Sequence, residues 1–216
     1  MEKIRSVALL FVCLFSNPDF STGQTPDSAQ ANVEYTRLED AFKEPEKVYR
    51  LNLSDQSFAS FPDSLSKFIN LQYLNLRNDH LKLIPKEIGA LKNLRVLDLS
   101  GNDFAVLPEE FANLTNLEEL YLDNDPNLDL KKDLEILSKL PKLKALHLDG
   151  DGLRDFPVSV VKLRNLERLY LNNNQLQRVP LEIGQLQKLN YLEIRNNPVS
   201  LDRINELQNQ GLRVEW

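Results

Sequence analysis

Four carboxylates in two short runs, Asp123 and Asp125 in DNDPNLD and Asp149 and Asp151 in DGDG, are the densest set of potential metal ligands in the chain. Oxygen-rich clusters of this kind bind calcium. Leu128 stands where the helix-loop-helix calcium pattern needs glycine, and Leu134 where its last glutamate would fall. A calcium site is therefore the sharper expectation and a solvated acidic edge the plainer one. Catalysis has less to stand on. His80 and His147 are the only histidines, Cys13 is the only cysteine, and His147 has neither a cysteine nucleophile nor a zinc-ligand set around it. No glycine-rich phosphate loop or G-x-S-x-G elbow is present. The chain reads as a non-enzyme with no cofactor, and its chemistry must come from recognition.

The elements that would position such residues show themselves through repetition. Leu71, Leu94 and Leu117, then Leu143, Leu166 and Leu189, each open a copy of L-x-x-L-x-L-x-x-(N/D)-x-(L/F) or a close relative, as in LRVLDLSGNDF and LERLYLNNNQL. The steps are 23 residues, with one of 26 between Leu117 and Leu143, and a degenerate copy starts at Val48. Within each copy the apolar residues alternate at strand period, so Leu74 and Leu76, or Leu169 and Leu171, point to one side. The return segments are equally regular, as IPKEIGALKN and VPLEIGQLQK show, and Pro85, Pro108, Pro157 and Pro180 fix the chain direction there and block a regular helix.

These copies, over roughly residues 48–216, resemble the leucine-rich repeat family in the class whose return carries L-P-x-x-I-x-x-L. The resemblance implies an α/β fold: a right-handed solenoid with a parallel sheet on its concave face and short helical or irregular returns on its convex face. It also implies an interaction scaffold. A single coil cannot bury enough apolar surface to fold, so neighbours must stack. Equivalent outward residues then form rows about 4.8 Å apart. The middle row runs Asn52, Asn75, Asp98, Tyr121, His147, Tyr170 and Glu193, and the row before it Arg50, Tyr73, Val96, Glu119, Ala145, Arg168 and Tyr191. A third row runs Ser54, Arg77, Ser100, Asp123, Asp149, Asn172 and Arg195.

The candidate ligand-binding residues are accordingly Tyr73, Glu119, Tyr121, His147, Arg168, Tyr170 and Tyr191, because tyrosine and arginine bury large area while keeping a polar tip satisfied. The alternative is that β-propensity alone places tyrosines on strands. Behind the rows, the asparagine position of the repeat normally turns inward to bond backbone. Asn102, Asn174 and Asn197 keep it, whereas Gln56, Asp79, Asp125 and Asp151 do not. An ionised aspartate cannot donate, so looser or differently bonded junctions are expected there. In the long repeat, Leu130, Leu134, Leu137 and Leu140 fall at helical spacing with Asp133 in a first turn, where its charge suits the helix dipole.

Solenoid ends need covers. Residues 34–47 place Tyr35, Leu38, Ala41 and Phe42 at helical spacing, which suggests a helical N-terminal cap before repeats over 48–199. Residues 200–216 read as a C-terminal cap: a helix with Leu201, Ile204 and Leu207 inward, a stop at Gly211 and a last half-strand. Residues 1–23 have a basic start, an apolar run of about ten and a polar end, the pattern of a secretory signal peptide cleaved after Gly23. Lipidation at Cys13 would follow bulky Val12 and cut the apolar run in half. Residues 24–33 are polar and aperiodic, a disordered linker.

The leader implies a secreted, periplasmic or cell-surface protein without a stable membrane span. Removing it leaves no cysteine, unlike the cysteine-capped members outside animal cells and more like exported bacterial ones. A net charge of −6 with no basic block argues against nucleic acid. The expected function is non-catalytic binding of a protein, or a glycan, on the concave face of a monomer. The alternative is a structural or adhesive envelope component.

Overall fold

The computed structural model describes residues 32–57 and 63–216. The expected signal peptide, its Cys13 and residues 24–31 of the expected linker lie outside them. Among the described residues one parallel sheet of nine strands runs in chain order: β1 (Glu34–Tyr35), β2 (Arg50–Asn52), β3 (Tyr73–Asn75), β4 (Val96–Asp98), β5 (Glu119–Tyr121), β6 (Ala145–His147), β7 (Arg168–Tyr170), β8 (Tyr191–Glu193) and β9 (Arg213–Glu215). Every neighbouring pair is parallel, and from β2 to β8 the register joins equivalent repeat positions. The leucine at the centre of each repeat strand, such as Leu74, Leu97, Leu120, Leu146, Leu169 or Leu192, has no exposed surface. Its two neighbours on the strand face outward, as the period of two requires.

Four of the 23-residue repeats return behind the sheet through one 3-10 turn each. Pro85, Pro108, Pro157 and Pro180 stand immediately before Lys86–Ala90, Glu109–Asn113, Val158–Lys162 and Leu181–Gln185. Proline suits that place because its missing N–H would be unbonded there in any case. The buried residue of each turn, Ile88, Phe111, Val160 or Ile183, packs into the same core as the strand leucines.

The 26-residue repeat differs as its leucine spacing requires. Helix α2 (Leu130–Leu137; the single-turn segment α1 precedes it at Leu38–Ala41) buries Leu130, Leu134, Ile136 and Leu137, and the Asp129 side chain accepts from the Lys132 N–H at its start. Leu140 is buried just past its end. The inserted residues are absorbed behind the sheet, since β5 and β6 still pair Leu120 with Leu146.

The ends differ more from expectation. The N-terminal cap is not one helix: Tyr35 lies on β1, opposite Leu51, and α1 keeps only four residues before the 3-10 turn Pro45–Lys47. The open edge of β2 captures the chain, where Glu34 and Tyr35 pair with Arg50 and Leu51 and cover backbone groups that the edge would otherwise leave unpaired. Ala41 is fully buried and Phe42 stacks on Phe68 at 4.9 Å. At the other end α3 (Leu201–Asn209) buries Ile204 and Leu207, Gly211 turns the chain at φ +91, and β9 closes the sheet with Val214 buried. The orientation expected for the Leu201 side chain lies outside what is described.

Candidate functional site

Strand register turns the middle outward row into a stack of rings. Tyr121 sits opposite His147, and His147 opposite Tyr170. Their ring centroids are 3.9 and 4.0 Å apart with planes within 18° and 5° of parallel. Parallel strands separated by about 4.8 Å make such stacking nearly unavoidable for flat side chains in one row. Tyr191, from the adjacent row, leans on Tyr170 at 5.5 Å and 55°. Both faces of the imidazole are therefore covered, and the row presents ring edges and polar tips.

Glu119 ties this stack together. Its Oε1 accepts from the Tyr121 hydroxyl and lies against His147 Nε2, each at 2.9 Å, while Arg168 approaches its Oε2 at 3.7 Å. Burial acts to raise the Glu119 pKa, but the hydrogen bonds and charge from His147, with the Tyr121 hydroxyl and Arg168, hold it below the ordinary carboxylate value. The Tyr191 hydroxyl donates to Glu193, and burial together with that carboxylate pushes its pKa up to about 12. Six of the seven residues expected from sequence thus come together. Tyr73 stands apart on β3, beneath the Arg50 guanidinium at 4.1 Å. Arg213, on β9, covers Tyr191 at 5.2 Å and was not among the expected residues.

The acidic quartet divides by row. Asp123 and Asp149 lie on the outer face, where Asp123 accepts from the Asp149 N–H at 2.8 Å and Asp149 from the Asn172 N–H at 2.6 Å. Asp125 and Asp151 point inward, 1% and 6% exposed. The four do not converge on one cage, and among the described residues no group of three or more His, Cys, Asp or Glu is placed to hold a metal ion. Nor is the quartet a solvated edge, since half of it is interior. The physical reason is the repeat itself: a side chain two residues past the strand faces out, and one four residues past it faces in.

Inside, the expected asparagine ladder forms. Asn102 Nδ2 donates to the Leu76 and Leu99 carbonyls at 2.9 and 2.6 Å, and its Oδ1 accepts from the Asp79 and Leu81 N–H groups. Asn174 and Asn197 repeat this, with Oδ1 accepting from the Leu153 and Leu176 N–H groups. The aspartates keep only the accepting half. Asp125 Oδ1 takes the Asn102 N–H at 2.6 Å and Asp151 Oδ1 the Asp125 N–H at 2.8 Å, while the second oxygens of Asp79, Asp125 and Asp151 are buried with no partner.

Two structural sets had weak sequence signals. Asp133, expected to serve a helix dipole, is fully buried and accepts from the Leu107 N–H of the preceding coil at 2.8 Å; burial raises its pKa to about 6. A second ladder uses the residue before each opening leucine. Asn70, Asn93, Asn116 and Asn165 donate to the backbone carbonyl of the preceding coil, and Lys142 and Lys188, at the same position, donate to the Asn116 and Asn165 side chains. The recurring N-L dipeptide was the available signal.

Family models for a leucine-rich repeat region and a leucine rich repeat match residues 47–132 and 141–199, together most of the described chain. No curated protein sequence matches. Among solved structures, a leucine-rich repeat protein of Leptospira interrogans is 28% identical with a TM-score of 0.57, over 84% of this chain and 57% of that one. The plant peptide hormone receptor RGFR1, in complex with RGF2, is 28% identical with a TM-score of 0.50, over 68% and 23%. The leucine-rich repeat ectodomain of an Arabidopsis thaliana membrane receptor kinase, in complex with a Casparian strip integrity factor, is 34% identical with a TM-score of 0.52, over 69% and 18%. The chain therefore spans just over half of the Leptospira protein and less than a quarter of either receptor. Matched repeat models, a single parallel sheet in chain order and an interior amide ladder agree: the chain belongs to the leucine-rich repeat family.

Proposed function

We propose that this protein is a non-catalytic recognition module that holds a protein partner on the concave face of its sheet, with the Tyr121–His147–Tyr170 stack as anchor. The observation that carries this is the stack itself, pre-ordered by strand register and braced by Glu119. Rigid aromatic side chains that need no reordering lose little entropy when a partner covers them. A protein surface suits the stack better than a flat sugar ring, because His147 has no open face. Beside it, Asp98, Asp123 and Asp149 take part in none of the described ion pairs, whereas Glu119, Glu193 and Glu215 all do. A partner with basic side chains at this place matches that charge. The two similar plant receptors were solved in complex with RGF2 and with a Casparian strip integrity factor, which supports a binding role here.

Export is part of the same reading. The first 23 residues carry the leader pattern, and among the described residues no helix is long and apolar enough to cross a membrane. Likeness to the Leptospira protein supports a bacterial type. Intact-mass measurement on the exported protein should give a chain beginning near Gln24; retention of residues 1–23, or a lipid on Cys13, would show the leader reading wrong.

Binding is tested by capture from native medium or envelope on the mature chain. A partner retained by the native protein should be weakened about tenfold or more by Tyr170→Ala, the usual scale for truncating an anchor. Tyr73→Ala, outside the stack, should have little effect. Equal capture by native protein and Tyr170→Ala would remove the stack from the binding site.

A further inference from the structure

The interior ladder contains a fault line. Asn102, Asp125, Asp151, Asn174 and Asn197 occupy the same inward position in five consecutive coils, yet the second and third of them lack the amide donor that the other three use. Where Nδ2 of an asparagine would reach backbone carbonyls, Asp125 and Asp151 present an oxygen that is buried and unbonded. An ionised carboxylate placed there costs its full desolvation, whereas a protonated one carries an O–H that can donate as an amide does.

We propose that Asp125 and Asp151 are held as neutral carboxylic acids standing in for asparagine, so that protons lock the two central coils and mild alkali loosens them. The surroundings favour this from every side. Asp125 is faced by Asp151, Asp123 and Asp98, and Asp151 by Asp123 and Asp149 besides Asp125; no lysine, arginine or histidine is among the principal charges acting on either. Burial, then those like charges, raise Asp125 to about 8 and Asp151 to about 7 against backbone hydrogen bonds that pull the other way. The pair titrates as a coupled unit, so the two values describe the pair more than either residue.

The device sits directly behind the candidate binding face. Asp123 and Asp149 are each two residues before a ladder aspartate, and the Asn124 N–H bonds the Asp149 carbonyl across the same junction at 2.7 Å. Loosening the ladder therefore frees the outer acidic pair and the edge of the His147 strand together.

The sign follows from linkage. A carboxyl whose folded pKa exceeds its unfolded value gives stability that is complete below about pH 4 and is lost as pH rises through the folded value. From Asp125 and Asp151 that loss extends to about pH 8, past the range in which Asp123 and Asp133, both raised to about 6, have already titrated.

Thermal melting of the full chain from pH 5 to pH 9 should show Tm falling by roughly 5–15 °C. The double variant Asp125→Asn, Asp151→Asn should melt higher than the native chain at pH 9 and lose the fall above pH 7, while Asp133→Asn should alter only the acidic part of the curve. Carbon-13 NMR of the native carboxyls reads the same property without any variant: two aspartates should titrate above pH 6.5. Carboxyl resonances that all titrate below pH 5, or an alkaline fall in Tm that persists in the double variant, would overturn the proposal.

Discussion

Asn102→Ala should destabilise the protein by about 4 kcal/mol or more, a larger effect than any single exposed substitution. Alanine leaves the Leu76 and Leu99 carbonyls without their donor and the Asp79 and Leu81 N–H groups without their acceptor, all in the interior. Each buried group left unbonded costs about 1–3 kcal/mol. Bulk solvent does not reach the vacated place, because Asn102 is only 4% exposed. Asn93→Ala removes a donor of the outer ladder, whose bond to the Ile69 carbonyl is exposed, and should cost no more than about 1 kcal/mol. Urea unfolding of the two variants decides the matter: free energies within 1 kcal/mol of each other would mean that the inner ladder carries no special share of stability.

The difference between the two ladders also explains what was legible in the sequence. Leucine spacing determines which residues face in and out, so the three outward rows could be written down before any coordinates, down to the Tyr121–His147–Tyr170 contact. Sidedness follows from a period of two and needs no knowledge of packing. The helix in the long repeat was legible for the same reason, since Leu130, Leu134 and Leu137 share one face.

Residues whose role depends on the next coil were harder to read. Asp133 looks like a helix-dipole partner when only its own helix is considered, but its carboxyl is used by Leu107 26 residues earlier. The acidic quartet looks like one cluster in linear sequence, although the repeat already puts Asp123 in an outward row and Asp125 at the inward asparagine position, and the fold keeps the two sides of the turn apart. Tyr35 fits a helical pattern with Leu38 and Phe42, and only the vacant edge of β2 makes a strand there more favourable. Tyr73 shares a row with Glu119 but is separated from it by Val96, so row membership alone overstates adjacency.

Removing residues 200–216 should be the most damaging change of all, because it opens the end of a stack in which every coil depends on its neighbours. Ile204 and Leu207 of α3, with Val214 of β9, lie over the last repeat, whose Ile183, Leu186, Leu192 and Ile194 belong to the same core. Uncovering even half of these side chains forfeits on the order of 5 kcal/mol. Backbone pairing is lost as well, since the Ile194 N–H donates to Glu215 and the Arg213 N–H to Asn190 across the β8–β9 junction. Arg203, which clasps the Val179 and Pro180 carbonyls from α3, goes with them. The exposed edge of β8 would then be an unpaired strand beside open apolar surface, the combination that drives aggregation. A chain ending at Val199 should therefore be recovered mainly as aggregate, and the point variant Ile204→Ala should be soluble but about 2–4 kcal/mol less stable. If the shortened chain instead elutes as a monomer and melts within a few degrees of the full one, α3 and β9 are an appendage to the solenoid and the stack ends stably at β8.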